Sequence, residues 1–243
     1  MKHRYKTATI TDIRTETPRL KTFTLDTSIE AKPGQYVMLW APGINEKPFG
    51  VVTTSPLRLS IANVGSFTDH IHTLKVGDKM TFRGAYGSSF SVRGKRPLLV
   101  GGGYGVVPLY LLVQAFSTAV RRKTTVIIGA KTKKDLTFVS KFKKLECLVM
   151  TSTDDGSFGF HGFSTDVAKK VLRAGGIDCV YACGPEPMMK KVAEMARENH
   201  IPCQVSVERH FKCGGMGLCG SCSFNGQLVC VDGPVFPGSV LLA

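Results

Sequence analysis

Cys213, Cys219, Cys222 and Cys230 stand close together near the end of the chain, with gaps of five, two and seven residues between them. A two-residue gap brings two thiolates to one metal centre with little strain. The glycines of "KCGGMGLCGSC" permit positive φ and leave bare backbone N–H groups that can point at sulfur. Such donors stabilise a reduced, negatively charged iron–sulfur cluster and raise its potential. A long gap, a short gap and a distant fourth cysteine follow the order of the plant-type [2Fe–2S] pattern, C-x4-C-x2-C…C, with the first gap one residue longer. Structural zinc is the alternative. Zinc fingers and ribbons usually show two close pairs, whereas here only Cys219 and Cys222 make one. Cys147, Cys179 and Cys203 lie in apolar stretches, where a thiol serves as a small core residue.

A second constellation is "LLVGGGYGVVP", which sets Gly101, Gly102, Gly103 and Gly105 where a buried strand meets a helix. Glycines there let a pyrophosphate approach the backbone and the positive end of the helix. The fingerprint G-x-G-x-x-G is not met, because Val106 holds its sixth position, and tight strand–helix packing also accounts for the glycines. The companion "YACGPEPMM" places Cys183, Gly184 and Pro185 at the end of a later strand, on the carboxyl edge where open α/β sheets bind ligands. Asp154 and Asp155 follow the strand "LECLVMTST", where a carboxylate can bind an adenosine ribose. They favour NAD over NADP, while Lys131, Lys133 and Lys134 would welcome a phosphate.

No constellation for acid–base or nucleophilic catalysis accompanies these groups. His3, His70, His72, His161, His200 and His210 are scattered and read as surface or structural residues. The chemistry therefore falls to bound cofactors.

The elements that must position them change character along the 243 residues. Residues 1–95 read as short strands broken by turns ("TATITDIRTE", "LKTFTLD", "GQYVMLWA", "LRLSIANV", "DKMTFRGAYG"), which predicts a small antiparallel β-barrel. Residues 96–202 alternate apolar strands with helices, which predicts a parallel doubly wound α/β sheet. Residues 203–243 carry the cysteines and read as a small C-terminal module. No apolar run is long enough for a membrane helix, and "MKHRYKTATI" lacks a signal-peptide core, so a cytoplasmic protein with reduced thiols is expected. The formal charge of +14 is spread out without aromatic interleaving. An acidic partner, anionic cofactors or solubility explain it, and nucleic acid ranks last.

"LLVGGGYGVVPL", "YACGPEPMM" and "GDKMTFRGAYGSSF" resemble segments of the ferredoxin–NADP reductase superfamily, in which a flavin barrel precedes a nicotinamide domain. "DDGSFGFHGFSTD", "KCGGMGLCGSC" and "CVDGPVF" narrow the resemblance to electron-transfer subunits of the two-subunit, NAD-dependent dihydroorotate dehydrogenases. Similar subunits also serve cytosolic hydrogenases and other flavin electron-transfer complexes.

The resemblance implies FAD held by Lys47, Pro48, Phe49 and Gly50 and by Gly65, Ser66, Phe67 and Thr68, with Ile61 flanking the ring system. It implies NAD(H) over Gly101–Gly105, with Cys183 near the nicotinamide, and a [2Fe–2S] cluster on the four cysteines. Electrons would pass from NADH through FAD and the cluster to an FMN-containing dihydroorotate dehydrogenase catalytic subunit, in a heterotetramer of two plus two, for pyrimidine synthesis. Two departures stand out: Lys47 replaces a usual arginine, giving a point charge in place of a bidentate fork, and Gly50 replaces a usual serine or threonine.

Overall fold

The structure is a computed structural model that describes residues 4–242; His3 lies outside the described residues. The chain divides into two compact units, Met1–Ser89 with Glu208–Pro234, and Phe90–Val207 with Val235–Ala243. The stretch 203–243, expected as one module, is thus distributed over both.

The first unit is built on β1 (Lys6–Thr17), β2 (Leu20–Leu25), β3 (Tyr36–Ala41), β4 (Asn45–Thr54), β5 (Leu57–Ala62) and β6 (Lys79–Tyr86). They close into a barrel in the order β1-β2-β5-β4-β3-β6, antiparallel throughout. Side chains alternate across a strand, and β5 shows the consequence. Leu57, Leu59 and Ile61 point inward and are fully buried, while Arg58 and Ser60 between them are not. Phe23, Leu25, Leu39 and Phe82 join them in a core closed to water. Closure pairs the strand edges that an open sheet would leave bare. Helix α1 (Ser66–Thr73) leaves the end of β5 and buries Phe67, Thr68 and Ile71. "KPFG" lies within β4, where Pro48 faces Met38 and Gly50 faces Tyr36.

The second unit holds β7 (Pro97–Gly102), β8 (Thr125–Ala130), β9 (Leu148–Thr153), β10 (Phe160–His161), β11 (Cys179–Cys183) and β12 (Cys203–Ser206). They form a parallel sheet in the order β10-β9-β8-β7-β11-β12. Helices α2 (Pro108–Ala115), α3 (Thr118–Arg121), α4 (Val139–Lys144), α5 (Ser164–Arg173) and α6 (Glu186–Glu198) make the connections. Every residue of β8 and β11 is buried, which is why these strands read as unbroken apolar runs. Chain order reverses between β7 and β11, and such a switch point opens a crevice at the carboxyl ends of the strands.

The cysteine-rich segment belongs to the barrel unit and contains a small hairpin, β13 (Ser223–Phe224) and β14 (Gln227–Leu228). Beyond it, β15 (Val235–Pro237) pairs antiparallel with β12 on the sheet edge. Among the described residues no helix is long and apolar enough to cross a membrane.

Phe23 is fully enclosed in the barrel, so Phe23→Ala should cost about 3–5 kcal/mol of unfolding free energy, the range for emptying a packed aromatic site. Denaturant unfolding of the flavin-bearing chain, followed by circular dichroism, measures it.

Candidate functional site

All eight cysteines are free thiols, and the four of the tail gather as two pairs. The sulfurs of Cys222 and Cys230 are 3.2 Å apart, both side chains being buried. Cys213 is half-buried and Cys219 exposed; the Cys219 sulfur lies 3.1 Å from the Ser221 hydroxyl and is near enough to Cys213 to lower that thiol. Among the described residues, no three histidine, cysteine or acidic side chains are gathered to share a single metal ion. Two pairs are what two bridged irons require, since each iron of a [2Fe–2S] centre takes two protein ligands.

The loop supplies its own donors. The backbone N–H of Leu218, then those of Cys219 and Met216 with the Cys219 thiol, pull the Cys213 thiol down to about 6. Burial, followed by the bond to the Cys222 thiol, pushes Cys230 up to about 12, against a donated N–H from Gly217. A buried thiolate pair needs a compensating cation, so the donor set fits an iron–sulfur cluster held by Cys213, Cys219, Cys222 and Cys230. Gly214 (φ 66°) and Gly217 (φ 74°) take left-handed backbone to aim these amides. A Cβ at Gly217 would lie 2.7 Å from Val231. Leu218, Val231 and Met216 leave an exposed apolar rim beside the thiols.

Side chains of the barrel hold this loop. The buried guanidinium of Arg83 on β6 donates to both carboxylate oxygens of Glu46 on β4, at 2.7 and 2.6 Å. It also donates to the carbonyl oxygen of Gly214 and lies over the Tyr86 ring, 5.3 Å from its centroid. Removing one partner of a buried ion pair costs about 3–5 kcal/mol, because the other charge is left uncompensated. Tyr36 on β3 donates its hydroxyl to the Cys230 carbonyl, 2.8 Å away, and its ring packs on Phe211. Motif spacing carried no signal for Tyr36 and Arg83, whose partners in the loop are remote along the chain, or for Glu46, which pairs with Arg83.

The segments expected to hold flavin meet at one end of the barrel. The rings of Phe49 on β4 and Phe67 on α1 stack 6.1 Å apart at 20°, which brings Lys47–Gly50 beside Gly65–Thr68. Gly65 and Ser66 are exposed at the start of α1, and a Cβ at Gly65 would meet nothing within 4 Å. Open backbone at a helix N-terminus suits a pyrophosphate, so the residues present fit FAD. Thr68 is occupied otherwise. Its hydroxyl accepts the N–H groups of Val64 and Gly65 and donates to the Gly65 carbonyl, which locks the turn. Ile61 is fully buried in the barrel core. His72 turns a ring nitrogen to the Ile61 carbonyl at 2.8 Å, a structural bond.

In the second unit, Gly101 on β7 stands level with Cys183 on β11 across the switch point. Close approach demands glycine there. A Cβ at Gly105 would lie 2.5 Å from the Cys183 carbonyl oxygen. One at Gly102 would lie 2.7 Å from the Met188 sulfur and 2.8 Å from Pro185. Gly184 abuts the Gly102 backbone in the same way, whereas Gly103 faces open space. Packing thus accounts for Gly101, Gly102, Gly105 and Gly184, and Gly103 is left to receive a ligand. Cys183 is fully buried. Asp154 and Asp155 are exposed at the end of β9. The Ser157 hydroxyl and N–H, at 2.6 and 3.0 Å, hold the Asp155 carboxyl below its usual range. Phe158 is exposed next to this turn, with the Lys133 ammonium 5.5 Å from its ring centre. Lys133 is one of the lysines expected to welcome a phosphate, while Phe158 carried no spacing signal.

Comparison with known proteins agrees with this geometry. Residues 99–194 match the oxidoreductase NAD-binding domain, and residues 208–242 match the iron–sulfur cluster binding domain of dihydroorotate dehydrogenase B. The chain is 48% identical to a probable dihydroorotate dehydrogenase B (NAD(+)) electron transfer subunit of Methanocaldococcus jannaschii, over 96% of this chain and 89% of that one. It is 40% identical to the same-named subunit of Thermococcus kodakarensis, over 98% of each. Among solved structures, an NADH-dependent reduced ferredoxin–NADP oxidoreductase, described for flavin-based electron bifurcation, superposes with a TM-score of 0.82. It is 30% identical, with 96% of this chain and 88% of that chain covered. The FAD/NAD binding domain of a Vibrio cholerae nitric oxide dioxygenase shares the fold, with a TM-score of 0.72 at 18% identity, over 84% of this chain and 98% of that one. By its sequence along nearly the whole length, and by the paired thiols on the barrel, this chain belongs to the family of dihydroorotate dehydrogenase B electron transfer subunits.

Proposed function

We propose that this chain carries electrons from NADH to a separate, FMN-containing dihydroorotate dehydrogenase catalytic subunit, two copies of each forming a cytoplasmic heterotetramer for pyrimidine synthesis. Its cofactors are FAD, NAD(H) and an iron–sulfur cluster, which we assign as [2Fe–2S]. The observation that carries the reading is the gathering of the tail thiols, Cys222 against Cys230 at 3.2 Å with Cys219 acting on Cys213 in the same loop.

When bound, the flavin exchanges a hydride for single electrons and the cluster carries those electrons one at a time. The residues of the chain bind and orient. Lys47 offers one positive charge to a flavin phosphate, and Gly65 and Ser66 offer open backbone at the start of α1. Pro48, Phe49 and Gly50 continue that strand, and Gly50 contributes no hydroxyl. Phe67, Thr68 and Ile61 support the site from within, through stacking, turn locking and core packing. For NAD(H), Gly103 receives the pyrophosphate, while Gly101, Gly102, Gly105, Gly184 and Pro185 hold the crevice to shape. Cys183 lies at its floor, and Asp154 and Asp155 face the ribose. The apolar rim of Met216, Leu218 and Val231 is the face an acceptor protein covers, since exposed apolar groups around a redox centre exclude water when docked.

A second reading keeps the same machinery and changes the acceptor to a ferredoxin or a hydrogenase, supported by the likeness to the NADH-dependent ferredoxin–NADP oxidoreductase. Affinity purification from native cells separates the two. Copurification of an FMN protein that oxidises dihydroorotate supports the first reading, and its absence from an otherwise intact complex sinks it.

Two substitutions test the assigned roles. Cys219→Ala should abolish the cluster's EPR signal and onward transfer, while NADH still bleaches the flavin; loss of flavin bleaching in a folded variant would show the order of groups to be wrong. Gly105→Ala forces a Cβ onto the Cys183 carbonyl. It should raise the KM for NADH about fivefold or more, the equivalent of the 1–3 kcal/mol typical of overpacking. Chemical reduction by dithionite should be unaffected, and stopped-flow kinetics with the two reductants measures the difference.

A further inference from the structure

Tyr36, Glu46 and Arg83 occupy neighbouring strands β3, β4 and β6, and they link the cysteine loop to the strand that carries Lys47–Gly50. Glu46 immediately precedes Lys47, and its carboxylate takes two hydrogen bonds from Arg83. Arg83 also binds the carbonyl of Gly214, the residue after Cys213. Tyr36 stands opposite Gly50 in the β3–β4 register, and its hydroxyl binds the carbonyl of Cys230. Each thiol pair is therefore gripped by one barrel side chain, Arg83 on the side of Cys213 and Tyr36 on the side of Cys230. The seat is tight at both ends. A Cβ at Gly214 would lie 2.6 Å from Glu46 and 2.8 Å from Arg83. One at Gly87, just past β6, would lie 2.6 Å from the Gly233 carbonyl and 2.8 Å from the Tyr36 ring.

We propose that Arg83, charge-balanced by Glu46, and Tyr36 are positioning residues that hold the iron–sulfur loop at one distance and orientation from the flavin-bearing strand. This rests on the flavin and cluster assignments proposed above. Electron tunnelling falls off exponentially with separation, so a loop free to shift would vary the transfer rate. Arg83 also donates to the Met216 sulfur at 3.6 Å. Each side chain acts through a backbone carbonyl, and the Gly214 carbonyl cannot leave Arg83 without depriving a buried guanidinium of one acceptor.

The experiment compares wild-type chain with Arg83→Gln and Tyr36→Phe, each purified anaerobically with flavin and cluster. Three readouts are taken: iron release to a ferrous chelator, the EPR spectrum of the reduced cluster, and the stopped-flow rate at which electrons leave the NADH-reduced flavin for the cluster. Arg83→Gln should release iron about tenfold faster or more, as expected for loss of a charge-assisted hydrogen bond. It should also broaden the EPR signal and slow flavin-to-cluster transfer. Tyr36→Phe, which removes one hydroxyl and no charge, should change all three in the same direction by about threefold or more, the scale of one neutral hydrogen bond.

Wild-type iron release, EPR spectrum and transfer rate in Arg83→Gln would overturn the proposal. If Arg83→Gln loses its flavin with its fold, Tyr36→Phe decides: a change confined to the cluster upholds the proposal, and wild-type behaviour overturns it. Wild-type chain that carries flavin but no iron would instead overturn the functional reading beneath it.

Discussion

Four thiols in one small loop are first of all an electrostatic problem. Deprotonated to bind metal, they repel one another, and two of them are buried where a lone charge is costly. The local answer is a loop whose backbone amides converge on sulfur, which glycine permits by taking left-handed backbone at Gly214 and Gly217. The amides alone do not hold the loop in place. A buried guanidinium takes its carbonyl at Gly214, a buried phenol takes the one at Cys230, and Glu46 balances the guanidinium. The cysteine segment therefore packs as part of the barrel unit, although the barrel strands lie at the other end of the chain.

The nicotinamide edge meets a different constraint with the same residue type. There the glycines admit neighbouring protein: a Cβ at Gly101 would strike Val106, one at Gly102 would strike Met188 and Pro185, and those at Gly105 and Gly184 would strike backbone across the switch point. Strand–helix packing and ligand approach, open alternatives for this turn from the sequence, divide between its residues. Packing claims most of them, and Gly103 keeps the open face. A crevice so tightly supported is already shaped before a ligand arrives, which lowers the entropy that binding must overcome.

Departures from the family pattern have local explanations. The first cysteine gap is one residue longer than the plant-type spacing, and Gly214 and Gly215, both at positive φ, turn the chain within it. Lys47 offers a single charge where an arginine is usual, and its neighbour Glu46 is already paired to a buried arginine on the next strand. Thr68, among the residues implied to hold FAD, spends its hydroxyl on the turn, because the entry to α1 leaves the N–H groups of Val64 and Gly65 in need of an acceptor.

The sequence by itself determined what depends on period and spacing. Alternation in "LRLSIANV", unbroken apolar runs in "TTVIIGA" and "CVYAC", and glycine-flanked cysteines are short-range patterns. Each maps onto a strand face, a sheet interior or a tight loop through geometry that a few neighbouring residues impose. The barrel, the parallel sheet and the four thiols were legible for that reason. Only the tertiary structure decided which surface the cysteine loop rests on, that residues 235–237 leave it to join the other sheet, and that Arg83, balanced by Glu46, and Tyr36 bind it. Arg83 and Gly214 are 131 positions apart, and Tyr36 and Cys230 are 194 apart. No local pattern relates such residues, because their partnership exists only once the barrel has closed and brought its far strands to the loop.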